Sequence, residues 1–446
     1  MAAIMATGSI VLARYLGAEL LGLHAVVTFL LGMLEPVLDF GVHASVIRRR
    51  RDELGGDFLQ AAFTLKLALA VLLVFVVLLT VAPLAASWYQ APGLYWLLAL
   101  AFAARALASP FRVSLSLLEK DMDYARVTAV ELLATVAFFL PASLLAVAGY
   151  GLSALVVGEV ARGLATLAAF PLRPFKPRLS RDSREIAEMV RFGSGHLSSV
   201  LVWMLNTGVN PLVVAKLAGL EAAGQVRIAE GLMLQASFLK GIGDRISYPL
   251  LADLQASPGR VAEFVKRWRL YQFMFGALPL LMLAAASPVV VPLLYGPSWR
   301  LVAPVLLVLA VGSSLGTVFG VYTAALVTAG RAWRVTQFHA AYGALLWLSA
   351  VPLVLWSGAV GYAVAFLFAV PSYAVIHRSF VGVFGPIEYR KALVLVGASC
   401  AMASLAWTLG SWWSVPVFLA GQAAILAVQP EARSATRYLA TLVRGR

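Results

Sequence analysis

The chain repeats itself at a distance of about 202 residues. Val11-Leu12-Ala13-Arg14-Tyr15-Leu16-Gly17-Ala18-Glu19-Leu20-Leu21-Gly22 returns as Val213-Val214-Ala215-Lys216-Leu217-Ala218-Gly219-Leu220-Glu221-Ala222-Ala223-Gly224, with the glycines and the glutamate in phase. The match continues to Gly41 and Gly243, and to Ser45 and Ser247. With a slightly longer offset it reaches Arg126-Val127-Thr128 and Arg334-Val335-Thr336. A long internal repeat in a very apolar chain marks transporters built from two related halves.

The chain is apolar enough for that reading. Hydrophobic residues make up 61% and charged residues 13%, with a mean hydropathy of +0.87, which excludes an ordinary soluble domain. A bilayer core of about 30 Å needs about 20 apolar residues per helix. Fourteen such stretches are present, near 1–15, 20–46, 58–81, 92–113, 126–147, 151–171, 192–216, 222–248, 268–294, 301–327, 335–356, 359–377, 391–409 and 412–428. The expected fold class is therefore an all-α integral membrane protein of about 14 transmembrane helices, arranged as two parallel six-helix repeats plus a terminal helix pair. The corresponding lobes are 1–172 and 192–380, joined by a basic cytoplasmic linker at 173–191, with two added helices and a basic tail at 381–446. Phe192 opens the seventh helix, and its counterpart would lie about ten residues before Met1. The first helix, at about 20 Å, is accordingly expected to be truncated.

Lysine and arginine set the orientation. They crowd Arg48 to Arg51, the 112–126 turn, the 173–191 and 245–269 segments, Arg331 with Arg334, Arg378 with Arg390 and Lys391, and the tail, whereas the opposite turns carry only Arg14, Lys216 and Arg300. The positive-inside rule then places both termini in the cytoplasm. The net charge of +14 is read as basic loops facing anionic membrane lipids, with no nucleic-acid partner. No cofactor is expected. Cys400 is the only cysteine, so disulfide and CxxC chemistry are excluded. No P-loop, HExxH or nucleotide-binding glycine motif occurs. Asp39-Phe40-Gly41 spells a kinase triplet without any other kinase element. The short outer loops argue against an enzyme.

Ionisable residues inside membrane segments are costly and mark a pathway or a partner. His24, Thr28, Glu35, Asp39 and His43 fall within an arc of roughly 100° on the second helix, with Pro36 favouring a kink. They read either as a cavity face in which Glu35, Asp39, His24 or His43 takes a proton or Na⁺, or as salt bridges to the other half. The eighth helix carries Arg227, Glu230, Lys240, Asp244 and Arg245. Arg227/Glu230 and Lys240/Asp244 have the spacing of intrahelical pairs, and Gly241-Ile242-Gly243 is an expected bend. Stripes on both equivalent helices suggest a shared aqueous cavity, with Arg227, Lys240 and Arg245 as candidate contacts to an anionic substrate. Lys66 and Arg105 either pair with Glu131 or Glu159 or line the inner face of the first half. Glu159 and Arg162 form an i,i+3 pair. Asn206 and Asn210 share a face before Pro211. Trp88, Tyr89, Tyr95, Trp96, Tyr295, Trp299, Trp412 and Trp413 read as an interfacial belt.

Together these residues resemble a family. Leu12 to Leu23, Asp39-Phe40-Gly41 followed by Arg48, Tyr248-Pro249-Leu250-Leu251-Ala252-Asp253-Leu254-Gln255, and Tyr295-Gly296-Pro297-Ser298-Trp299 followed by Ala303-Pro304 resemble bacterial polysaccharide flippases of the Wzx type. The resemblance covers residues 11 to about 335. It implies two six-helix lobes around a cationic central cavity and alternating access. It also implies transport of an undecaprenyl-pyrophosphate-linked oligosaccharide from the cytoplasmic to the outer leaflet of the bacterial inner membrane, possible polysaccharide polymerase partners, and no enzymatic activity. Departures include His24 where tyrosine is frequent, Ala18 where proline is common, and Asn210 where aspartate is frequent. The rival readings are a cation-coupled small-molecule or multidrug antiporter of the same superfamily and a non-transporting membrane scaffold. Carboxylates should dominate the cavity of the antiporter, and charge-neutralising changes should be tolerated by the scaffold.

Overall fold

The computed structural model describes residues 1–50, 54–254 and 257–428; within them the side chains of 2, 195–196, 198–207, 242, 245–246, 248–249, 252 and 258 lie outside the description. The chain forms two compact units, Met1–Gly224 and Gln225–Arg446. Among the described residues every regular element is a helix. The hydrocarbon core offers no water to backbone N–H and C=O groups, and a helix satisfies them within itself.

The first unit holds α1 (Ala2–Asp39) and the short α2 (Val42–Arg48). It continues with α3 (Gly56–Trp88), α4 (Pro92–Lys120), α5 (Tyr124–Val147) and α6 (Leu152–Leu172). It ends with α7 (Ser183–Thr207) and the first turn of α8 (Leu220–Ala236). The second unit holds the rest of α8 and α9 (Phe238–Leu254). Then come α10 (Gly259–Tyr295), the pair α11 (Val302–Thr317) and α12 (Gly320–Thr328), α13 (Ala332–Phe384), α14 (Arg390–Thr408) and α15 (Ser414–Val428). Eight helices are long and apolar enough to cross a membrane, or nine if the bent pair α11–α12 is one span, among the described residues. The chain is an all-α, multi-pass membrane protein. In the first unit α5 packs on α6 and α1, and α4 on α6; in the second, α10 packs on α11, α14 and α15.

Two of the crossing helices are broken within. α1 breaks at Gly17 (φ 77°, ψ 174°) and α13 at Ser357–Gly358, where Gly358 has φ 56°. These breaks separate 1–15 from 20–46 and 335–356 from 359–377, as the sequence predicts. Gly219, the repeat counterpart of Gly17, also has positive φ, at 92°. A side chain is strained in that region, so glycine stands there in both copies. Gly17→Ala is expected to destabilise the protein by about 1–3 kcal/mol, read as a lowered midpoint of thermal unfolding in detergent. An unchanged midpoint would show that the break does not depend on glycine.

Several expectations need correction. The helix expected over 20–46 is interrupted after Asp39, because Phe40 (φ 48°) and Gly41 (φ 74°) are both left-handed. Pro36 stays helical, and its carbonyl accepts from the Phe40 N–H at 2.8 Å. The helix expected over 222–248 divides at Ser237 instead of at Gly241-Ile242-Gly243. Gly243 makes room for a ring: a methyl carbon there would lie 2.0 Å from that of Tyr271, so glycine admits a close neighbour. α7 starts at Ser183, well before Phe192, because Asp182 Oδ1 accepts from the N–H groups of Arg184 (3.0 Å) and Glu185 (3.2 Å) and so caps the helix. Trp88, Trp96, Trp412 and Trp413 are exposed as an interfacial belt requires, but Tyr295 and Trp299 are buried. The turn at Gly296 (φ 104°) folds Trp299 back, with ring centroids 6.2 Å apart.

Candidate functional site

The polar residues of α1 meet charged side chains of α3, α4 and α6, all inside the first unit. His24 Nε2 donates to Glu159 at 2.9 Å, and its ring stacks on Phe138. Arg105 Nη2 donates to the other Glu159 oxygen at 2.7 Å, and Arg162 lies 3.7 Å from Glu159. Arg105 Nη1 also stands 3.6 Å from Glu35, which accepts from Arg112 as well. One turn on, Asp39 accepts from Lys66 Nζ at 2.6 Å and from the His43 N–H at 3.2 Å. On α2, His43 Nδ1 lies 2.9 Å from Ser116 Oγ, and Nε2 lies 3.3 Å from Glu119. Thr28 Oγ1 donates to its own helix, at the Ala25 carbonyl, 3.0 Å away.

The arrangement follows from helix geometry. Glu35 and Asp39 are one turn apart, and Arg105 and Arg112 two turns apart, so each pair shares a face. The cluster is graded from inside to outside. Glu159 is 0% exposed and Lys66 4% by side chain, whereas Arg112 is 32% and Glu35 38% exposed. The cations Lys66, Arg105, Arg112 and Arg162 interleave with the carboxylates Glu35, Asp39 and Glu159, and Glu119 stands at the edge beside His43. In a low-dielectric setting such groups persist only when paired, and here Glu35, Asp39 and Glu159 each hold at least one cation.

Sequence reasoning locates the face but not its partners. The salt bridges expected to the other half are made within the first unit. Arg105 does pair with Glu159, but Lys66 pairs with Asp39, because α3 reaches α1 one turn beyond Glu35. Arg112, grouped by sequence with the cytoplasmic turn, belongs to the cluster, and its seven-residue spacing from Arg105 is the signal that points there.

In the second unit Lys240 Nζ donates to Asp244 at 2.9 Å, the expected i,i+4 pair, and Gln272 donates to the same carboxylate at 2.7 Å. The expected Arg227/Glu230 pair is not formed. Glu230 accepts from the Tyr362 hydroxyl at 2.5 Å, while Arg227 is exposed and makes no ion pair among the described residues. Asn210 is buried, in a short wide-turn stretch, Asn210–Val214, that begins after the helix is interrupted at Gly208. The side chains of Asn206 and Arg245 lie outside the described residues. Among the described residues no three His, Cys, Asp or Glu side chains are placed to hold a metal ion.

With this geometry in view, comparisons with known proteins place the chain. Residues 11–304 match the sequence profile of the family described as polysaccharide biosynthesis protein. The lipopolysaccharide biosynthesis protein WzxC of Escherichia coli (strain K12) is 26% identical over 323 residues, covering 69% of this chain and 63% of that protein. The teichuronic acid biosynthesis protein TuaB of Bacillus subtilis (strain 168) is 25% identical over 309 residues, covering 66% and 62%. The chain thus spans somewhat under two thirds of the length of these relatives. Its fold is similar to that of the lipid II flippase MurJ in an inward closed conformation, with a TM-score of 0.75, 12% identity, and coverage of 98% of this chain and 97% of that one. Profile, relatives and fold agree: the chain belongs to the polysaccharide biosynthesis protein family.

Proposed function

We propose that this protein is a flippase of the bacterial inner membrane, with both termini cytoplasmic, that moves a lipid-pyrophosphate-linked oligosaccharide from the cytoplasmic to the outer leaflet by alternating access. The observation that carries the reading is the pair of guanidinium groups, Arg105 and Arg112, that converge on the partly exposed Glu35 in the cluster on α1, α3, α4 and α6. A pyrophosphate is a compact polyanion, and guanidinium groups bind it in a forked geometry. Arg105 and Arg112 already share a carboxylate, so a pyrophosphate can replace Glu35 without leaving a cation bare. In the second unit Arg227, exposed and without an ion pair among the described residues, is a separate candidate contact for an anion, as are Lys240 and Arg245 further along the sequence. The sugar would stay among polar groups and the lipid tail in the bilayer. A multidrug antiporter for cationic cargo fits less well, since Glu35, Asp39 and Glu159 are each already held by a cation. A coupling ion would reach Glu35 or Asp39 only after Arg112 or Lys66 lets go.

The test is leaflet translocation in proteoliposomes. A fluorescent lipid-pyrophosphate oligosaccharide is compared with the same sugar on an uncharged lipid. The pyrophosphate form is expected to cross at least about tenfold faster, equivalent to about 1.4 kcal/mol. Equal rates, or no movement by folded protein, would reject the reading.

A further inference from the structure

Two contacts join the copies of the repeat inside the first unit, and at one end, just past the break in α1 at Gly17, Gly22 and Gly224, which occupy the same position in the two copies, lie against each other. A methyl carbon on Gly22 would sit 1.7 Å from the Leu220 carbonyl oxygen, and one on Gly224 would sit 2.0 Å from that of Ala18. Beside this contact Tyr89 Oη donates to the Pro211 carbonyl at 2.8 Å and Lys216 Nζ to that of Trp88 at 2.5 Å. At the other end Gly41 meets Gly193 of α7. A methyl carbon on Gly41 would lie 2.7 Å from the Gly193 Cα, and one on Gly193 would lie 1.9 Å from the Phe40 carbonyl oxygen.

At this second end ion pairs join the two copies of the repeat. Arg49 donates through both terminal nitrogens to Glu185, at 2.6 and 2.8 Å. Arg48 stands 3.6 Å from Glu188 and over the Phe192 ring at 4.5 Å. α2 itself is fastened to α4, since Lys120 Nζ donates to the closing carbonyls of Val46 (3.1 Å) and Ile47 (3.0 Å) and to that of Arg49. α2 is thus fixed to the first copy of the repeat and reaches the second copy through two arginines.

We propose that α2 is a charge latch at the cytoplasmic end, clasping α7 through Arg48 and Arg49, and that an anionic lipid headgroup opens it by competing with Glu185 and Glu188 for those arginines. The proposal rests on the transporter reading. Backbone contacts between glycines have no interlocked side chains to unpack, so each end can part and re-form easily. The cytoplasmic end adds the partly exposed pairs Arg49–Glu185 and Arg48–Glu188, which salt and competing anions weaken. Closure there is set by carboxylate–guanidinium pairs, whereas the Gly22–Gly224 end is held by close backbone packing and by side chains that donate to backbone carbonyls.

Spin-label distances in nanodiscs test this, on a Cys400→Ser background. One labelled pair, Ile47→Cys with Ala187→Cys, reports the latch, and Glu19→Cys with Glu221→Cys reports the other end. Arg49→Glu is expected to lower the closed-to-open ratio at the latch about 10- to 100-fold and leave the other end unchanged. Combining Arg49→Glu with Glu185→Arg restores it. Raising the ionic strength of the otherwise unaltered labelled protein from about 0.01 to about 1 M, which cuts the screening length from about 30 to about 3 Å, moves the latch pair alone and needs no charge variant to fold. Undecaprenyl pyrophosphate opens the latch where undecaprenol does not. Latch distances indifferent to Arg49→Glu and to salt, or both ends moving together, would overturn the proposal. So would equal responses to the two lipids. A salt-sensitive latch in a protein that fails to translocate would instead reject the flippase reading and leave the latch standing.

Discussion

Replacing Glu159 by alanine is expected to destabilise the protein by about 3–5 kcal/mol, the cost of breaking a buried ion pair from one side. Glu159 is fully buried and accepts from His24 and Arg105, with Arg162 near by. Without it, Arg105 keeps only the longer contact to Glu35, at 3.6 Å, and its guanidinium stays in a poorly hydrated place. The comparison that isolates the effect is Glu159→Ala together with Arg105→Met. Removing both charges should recover much of the loss, because a buried pair replaced by apolar groups is often neutral. Unfolding in detergent, followed by intrinsic fluorescence for wild type, both single variants and the double variant, gives the coupling directly. A single variant within about 1 kcal/mol of wild type, below the range for a broken buried pair, would show that the network is loosely hydrated.

The sequence makes much of the fold readable and less of the cluster. The break at Gly17 is legible because its copy at Gly219 recurs in phase, and a retained glycine in an apolar repeat signals a backbone demand. The polar face of α1 is legible because His24, Glu35 and Asp39 obey the helical period. Neither property reports which neighbour a face meets. His24 and Glu159 are 135 residues apart, and Arg105 and Glu159 are 54 apart, so their pairing depends on how α4 and α6 pack against α1. Local sequence also misplaces the break near Gly243. Two glycines close together suggest a bend, but glycine serves equally to admit a ring, here Tyr271. Arg112 is hidden for a similar reason. It follows Pro110 in a tight turn and precedes a charged loop, and that company conceals its alignment with Arg105. Hydropathy therefore recovers the multi-pass character of the chain, while the charged site has to be built from distances.

Arg112→Gln is expected to weaken binding of a lipid pyrophosphate about 10- to 100-fold, the equivalent of losing a charged hydrogen bond worth about 1.5–3 kcal/mol. Among the cations touching Glu35 and Asp39, Arg112 is the most exposed, and Lys66 is sealed in. An anion arriving at the cluster therefore meets Arg112 first. Arg112→Lys keeps the charge but loses the fork, so it should fall between wild type and glutamine. Glu35→Gln should act in the opposite direction. The carboxylate is the competitor that a pyrophosphate must displace, and its removal leaves two guanidiniums waiting for the ligand. Tighter binding would then come with slower release, so affinity would rise while the translocation rate falls. Titration of undecaprenyl pyrophosphate into protein-loaded nanodiscs reads the first effect, and the proteoliposome assay reads the second. Affinity unchanged within about twofold in both Arg112→Gln and Glu35→Gln, a shift of under about 0.5 kcal/mol, would mean that the pyrophosphate rests elsewhere. Arg227 on α8 would then become the first residue to test, because its charge has no ion-pair partner among the described residues to mask the loss.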